Sequence, residues 1–177
     1  MRSGRYTATP PTFKDEAPDF SFPAEPVSAN RFCFYTAQAD AWTYAGVASL
    51  EGRSVGIIQN YAYGAELDAL IRRQPQSFRL NSGNDLTLRL IQQLQHKRFD
   101  TFVEEENLVN YTLLRHPGYA LRVAGCEAEK FAYMAISPKH PRHAEYARMF
   151  SAGMQEIRRH GVLDKILSAY GLRDWRD

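Results

Sequence analysis

Between positions 54 and 103 short apolar, β-branched runs alternate with segments of helical period, and this alternation limits the possible folds more than any other feature of the chain. Residues 54–58 (SVGII) read as a strand and residues 59–64 as a polar, aromatic loop. In residues 65–73, Leu67, Leu70 and Ile71 fall at i, i+3 and i+4 on one helical face. Residues 76–80 form a second strand pattern, and residues 81–84 (NSGN) supply turn and cap chemistry. Leu86, Leu90, Ile91 and Leu94 then make a second apolar helical face that ends near the basic residues 95–98. Residues 99–103 are a third strand. Strands separated by helices of about ten residues need crossover connections, so the pattern predicts an α/β fold whose mostly parallel sheet is flanked by helices.

Outside this block the signals are weaker. Residues 7–27 hold five of the nine prolines, which allows extended segments and turns with one short strand at most. Residues 31–36 (RFCFYT) have the character of a buried strand. The acidic run 104–107 (EEEN) opens a helix that continues through Leu108, Tyr111, Thr112 and Arg115, because acids favour the positive end of a helix. Residues 119–123 and 131–136 are two more strands. The remainder is helical: Ala147, Phe150, Met154 and Ile157 share one face, Gly161 interrupts, and Val162, Leu163, Ile166, Leu167 and Tyr170 line a last helix.

The 177 residues, 44% of them hydrophobic, suffice for one domain or two small lobes. The formal charge of +2 is spread as −2, +1 and +3 over residues 1–52, 53–136 and 137–177, which gives no basic segment for phosphate backbones and argues against nucleic acid as a partner. No apolar run approaches the roughly 18 to 20 residues that span a bilayer, and the first residues lack the apolar stretch of a secretory signal. Cys33 and Cys126 lie far apart in hydrophobic surroundings and are expected to be buried free thiols. His96, His116, His140, His143 and His160 are scattered and are assigned surface roles, so no metal is expected. Nucleophile-elbow, zinc-protease, phosphate-loop and dinucleotide motifs are absent, so neither a catalytic set nor a cofactor is expected.

In sheets of this kind ligands bind beyond the carboxyl ends of the strands, which selects the loops at 59–64 and 104–107. In the first, Gln59, Asn60, Tyr61 and Tyr63 offer amide and phenol groups beside a helix N-terminus, a mouth for a small anion or else an ordinary strand-to-helix turn. In the second, the acids could hold an ammonium group, bind a divalent cation, act as a catalytic pair or simply stabilise the helix in solvent. A helix advances about 100° per residue, so at most two of the three acids can face one way.

Three stretches in order resemble type II periplasmic solute-binding proteins, the extracellular family 3 group serving ABC importers of amino acids. Residues 49–57 (SLEGRSVGI) are similar to the family's passage into its second lobe. Residues 99–105 (FDTFVEE) resemble its acidic strand end. The C-terminal series Phe150, Gly153, Ile157, Gly161, Leu163, Ile166, Tyr170, Gly171 and Leu172, followed by Asp174 and Trp175, resembles its closing helices. Residues 12–23 (TFKDEAPDFSFP) are similar to the motif that closes the first half of lobe one. The resemblance implies a periplasmic-binding-protein-like fold with one complete lobe and an incomplete, N-terminally truncated first lobe. Residues 1–45 would be a remnant of lobe one with the first hinge strand, 46–130 lobe two, and 131–177 the return strand and C-terminal helices. The apolar faces of those helices would be left partly uncovered.

The resemblance further implies a non-enzymatic, periplasmic solute-binding protein that holds an amino acid or small amine between its lobes and works with the membrane permease of an ABC importer. A truncated or sensory domain of the same fold is the alternative. By matching positions, Lys14 would meet the solute's carboxylate where the family carries arginine, Asn60 and Tyr61 replace the family's small residues, and Glu105 would take the ammonium. The candidate set is therefore Lys14, Gln59, Asn60, Tyr61, Ala62 and Glu105.

Overall fold

The computed structural model describes residues 5–176, which divide into two compact units. Arg31–Ala128 form an inserted unit, and Met1–Asn30 with Glu129–Asp177 form a discontinuous one.

In the inserted unit the alternation of apolar runs and helical segments becomes β3 (Phe32–Ala37), β4 (Val55–Ile58), α1 (Ala65–Arg73), β5 (Phe78–Asn81), α2 (Leu86–Gln95), β6 (Thr101–Glu105), α3 (Glu106–Arg115) and β7 (Leu121–Cys126). The strands form one five-stranded sheet in the order β5-β4-β6-β3-β7. β4 pairs in parallel with β5 and β6, as the crossovers require, whereas β3 is antiparallel to both β6 and β7, so the sheet is mixed. The odd strand is β3, which precedes the crossover units in the chain and inserts between β6 and β7.

Both faces of the sheet are covered. On one face Phe34, Val55, Ile57 and Val103 pack with Leu67 and Leu70 of α1 and with Tyr44 and Tyr63. On the other, Cys33, Tyr35 and Phe102 pack with Leu90, Ile91 and Leu94 of α2 and Val109 of α3. Each large side chain buried this fully contributes about 1.5–3 kcal/mol. Gly56 in β4 is required by close approach: a Cβ there would lie 2.4 Å from the ring of Phe99, which is itself only 3% exposed.

Two local readings change. β6 runs two residues past the expected strand end, so Glu104 and Glu105 belong to the strand and only Glu106 begins the helix. Alternation along a strand, rather than helical rotation, therefore decides which way each acid points. The cysteines are not free thiols: Cys33 and Cys126 are directly opposed in the β3–β7 ladder, with Cα atoms 4.0 Å apart, and form a disulfide. Sequence distance concealed this pairing, because only the placement of β3 against β7 brings the two together.

The discontinuous unit has a three-stranded antiparallel sheet in which β8 (Lys130–Ile136) lies between β1 (Ala8–Thr12) and β2 (Ser28–Asn30). α4 (His143–Arg159) packs against β8, and α5 (Val162–Ser168) packs against α4. The apolar faces of these helices are covered only in part, with Val162 at 43% and, just past α5, Tyr170 at 52% exposed. Met154 and Leu163 are buried, Phe150, Ile157 and Leu167 are half-buried, and Ile166, at 49%, is exposed. A buried ionic cluster adds to this unit: Arg158 donates to Glu25 and to Asp174, and Gln155 and Arg176 also donate to Glu25.

Candidate ligand-binding site

The carboxyl ends of the parallel strands β4, β5 and β6 carry the connections that sequence reasoning selected, together with one it passed over. The loop after β4 leaves Gln59, Asn60, Tyr61 and Ala62 exposed. Asn60 has φ 62°, the left-handed region that asparagine tolerates better than most residues, and this turns the chain sharply off the strand. The Gln59 N–H donates to the carbonyl of Asn81 at the end of β5, tying the two strand ends together. Tyr63 folds back: its hydroxyl accepts the Ile58 N–H at 2.8 Å, and its own N–H donates to Asp68 at 3.1 Å. Glu66 and Asp68 occupy the first turn of α1, so this helix end already has negative charge beside its free N–H groups.

Phe32, Tyr61 and Tyr63 form an aromatic cluster with edge-on contacts. Ring centroids are 5.9 Å apart for Phe32–Tyr61, 5.5 Å for Phe32–Tyr63 and 5.4 Å for Tyr61–Tyr63. Phe32 is also the direct cross-strand neighbour of Glu105, which brings the cluster to the end of β6.

Glu105 is 5% exposed and caps its own helix: one carboxylate oxygen accepts the Leu108 N–H and the other the Asn107 side-chain amide, both at 3.0 Å. Burial is the largest influence on its pKa and raises it, against the opposing pull of N–H donors from Leu108, Asn107 and Arg31. Glu106 is held outside the cluster by Arg31, whose Nη2 lies 2.6 Å from its carboxylate.

Glu104 points to the opposite face from Glu105 and is fully buried. Its carboxylate accepts the Glu105 N–H at 2.8 Å and the Thr87 hydroxyl at 3.2 Å. Burial pushes its pKa up to about 7. Tyr61 is partly exposed, but desolvation of its covered part, and then the negative charges of Glu104 and Glu105, raise its phenol pKa to about 12.

Of the six candidates, the structure brings Gln59, Asn60, Tyr61, Ala62 and Glu105 to one end of one sheet. Lys14 belongs to the discontinuous unit, where it is exposed and its ammonium stands 4.0 Å from the ring centroid of Tyr133. Sequence reasoning did not single out Phe32, Thr87 or the distinct role of Glu104. The recognisable signal was the strand-like alternation of residues 101–105, which would have put neighbouring acids on opposite faces. Among the described residues one grouping has metal-ligand geometry, Cys33, Glu106 and Cys126, with ligand atoms within 4.8 Å of one another, but the disulfide consumes both sulfurs.

No family model matches the chain, and no curated protein matches it in sequence. Solved structures do match in shape. A histidine kinase sensor domain with similarity to periplasmic binding proteins superposes with a TM-score of 0.71 at 18% identity, over 98% of this chain and 73% of that one. An arginine-binding protein mutant from T. maritima gives 0.67 at 14% identity, over 95% and 70%. The arginine-, lysine-, histidine-binding protein ArtJ from Geobacillus stearothermophilus gives 0.67 at 15%, over 98% and 74%. Among the described residues no helix is long and apolar enough to cross a membrane. At these identities the likeness concerns architecture, and the architecture is that of the periplasmic-binding-protein-like α/β fold.

Proposed function

We propose that the chain is a non-enzymatic solute-binding module whose inserted unit receives the cationic group of a small polar solute, an amino acid or small amine. The observation that carries this reading is the placement of an aromatic cluster, Phe32, Tyr61 and Tyr63, beside the buried carboxylate of Glu105 at the carboxyl end of one sheet, with Glu104 buried on the opposite face of the same strand. A cation over such rings gains about 0.5–2 kcal/mol, more as it is desolvated. Glu105 carries its negative charge at this mouth while its oxygens accept local N–H groups, and the exposed residues Gln59, Asn60 and Ala62 lie at the same end of the sheet. The motif alone makes Lys14 the candidate partner of a solute carboxylate. The neighbours described as binding arginine, lysine and histidine support a cationic solute.

Two settings suit such a module. In an importer, its partner is the membrane permease of an ABC transporter and its place is the periplasm. In a receptor, it senses the solute, a reading favoured by the likeness to a histidine kinase sensor domain. Thermal unfolding of the chain against a panel of arginine, lysine, ornithine, histidine, glutamine and simple alkylamines tests the shared claim. A true ligand at about 100 times its Kd stabilises by about 2.7 kcal/mol, and Tyr61→Ala and Glu105→Gln should each remove the response. No shift across the panel, or a shift that both variants retain, rejects the proposal.

A further inference from the structure

We infer that the inserted unit carries a second, basic surface along the outer edge of β5 that takes an extended acidic segment of a partner protein. This goes beyond the solute site and is independent of it.

Four observations converge on this surface. First, β5 is the end strand of its sheet, paired on one side only with β4; the Phe78 N–H is taken by the carbonyl of Pro75, and the remaining backbone groups of its other side have no ladder partner. Its four residues offer about 13 Å of edge, at about 3.3 Å per residue, enough for one short added strand.

Second, charge is concentrated here. Residues 72–98 contain Arg72, Arg73, Arg79, Arg89, Lys97 and Arg98 against the single acid Asp85. The coarse division of the sequence averaged this away. All six cations are exposed, and among the described residues none forms an ion pair. Arg79 and Arg89 instead donate to the nearby carbonyls of Gln76 and Ser82, which orients their guanidinium groups while leaving the charge unneutralised.

Third, an open hollow of about 1150 Å³ lies here, lined among others by Arg79 and Leu80 of β5, Arg89 and Gln93 of α2, and His96 and Arg98 beyond it. Fourth, Leu80 is 64% exposed within this basic surface. A free anion would use the arginines but neither the strand edge nor Leu80. An extended peptide uses all three: backbone pairing along β5, a side chain on Leu80 and carboxylates on the arginines.

The test uses the full chain and a labelled short peptide alternating glutamate and valine, read by fluorescence anisotropy. The acidic peptide should bind and weaken as salt rises, while a lysine–valine counterpart should not bind. Arg79→Glu combined with Arg98→Glu should weaken binding by about tenfold, with thermal unfolding unchanged because both side chains are exposed. Methylating alternate backbone nitrogens of the peptide should abolish binding, since strand addition needs those donors. Equal binding of both peptides, an affinity indifferent to the double reversal or undiminished binding of the methylated peptide would overturn the inference. So would binding to phosphatidylglycerol vesicles with none to the peptide, which would assign the surface to a membrane. Tyr61→Ala, which tests the solute site, should leave peptide binding intact, so the two proposals fail separately.

Discussion

Cys33 and Cys126 are joined across the β3–β7 ladder, closing a loop between positions 93 residues apart and fastening the antiparallel strand of the inserted unit to its outer neighbour. A cross-link over that separation restricts the unfolded chain and is worth about 2–5 kcal/mol. Replacing both cysteines by alanine should therefore lower the free energy of unfolding by that amount and move the urea midpoint to a correspondingly lower concentration. The unreduced native protein should show no thiol to a thiol reagent; two titrating thiols per folded chain would sink the assignment.

Glu104 makes stability depend on pH around neutrality. Its folded pKa lies at about 7, above the ordinary value of 4.5, so the folded state retains a proton that the unfolded state releases. The sign follows: this group's contribution is fully present below about pH 4.5 and is lost as pH rises through about 7, a change on the order of 3 kcal/mol. Glu104→Gln should flatten the stability profile between those limits and raise stability at pH 8. Ionisation should at the same time strengthen the attraction for a cationic solute, so affinity should rise across the range in which stability falls. A stability profile unchanged by Glu104→Gln would refute the assignment.

Arg158 holds together two buried acids of the discontinuous unit. Glu25 is 3% exposed and Asp174 6%, and the guanidinium bonds to both. Burial alone would raise the pKa of Glu25, but the bonds from Gln155 and Arg158 and the charge of Arg176 outweigh it and hold the group below its usual range. Asp174 is lowered chiefly by its bond to Arg158. Stability from these depressed groups is present above their unfolded pKa values near 4 and is lost as pH falls through the folded ones. Arg158→Ala leaves two buried carboxylates without their central cation and should cost about 3–5 kcal/mol at pH 7, measured by chemical denaturation, with a smaller loss at pH 4. An equal loss at both pH values would show that packing, and not charge, is what Arg158 contributes.

Local sequence was sufficient for much of this fold. The apolar spacing of Leu67, Leu70 and Ile71, and of Leu90, Ile91 and Leu94, marks the buried faces of α1 and α2, because a helical period of 3.6 residues is written directly into the chain. The same alternation of elements placed residues 59–64 and 104–107 at the carboxyl ends of parallel strands, where Tyr61 and Glu105 stand, although 104–107 is the end of β6 running directly into α3 and not a loop. What the tertiary structure alone decided was every relationship between residues distant in sequence. These are the insertion of β3 between β6 and β7, the disulfide it creates, the approach of Phe32 to Glu105, the burial that raises Glu104, and the open edge of β5 that gathers its arginines. Periodicity reports which face of an element is buried, but strand order and depth of burial depend on which elements become neighbours, and that is settled only when the whole sheet closes its core.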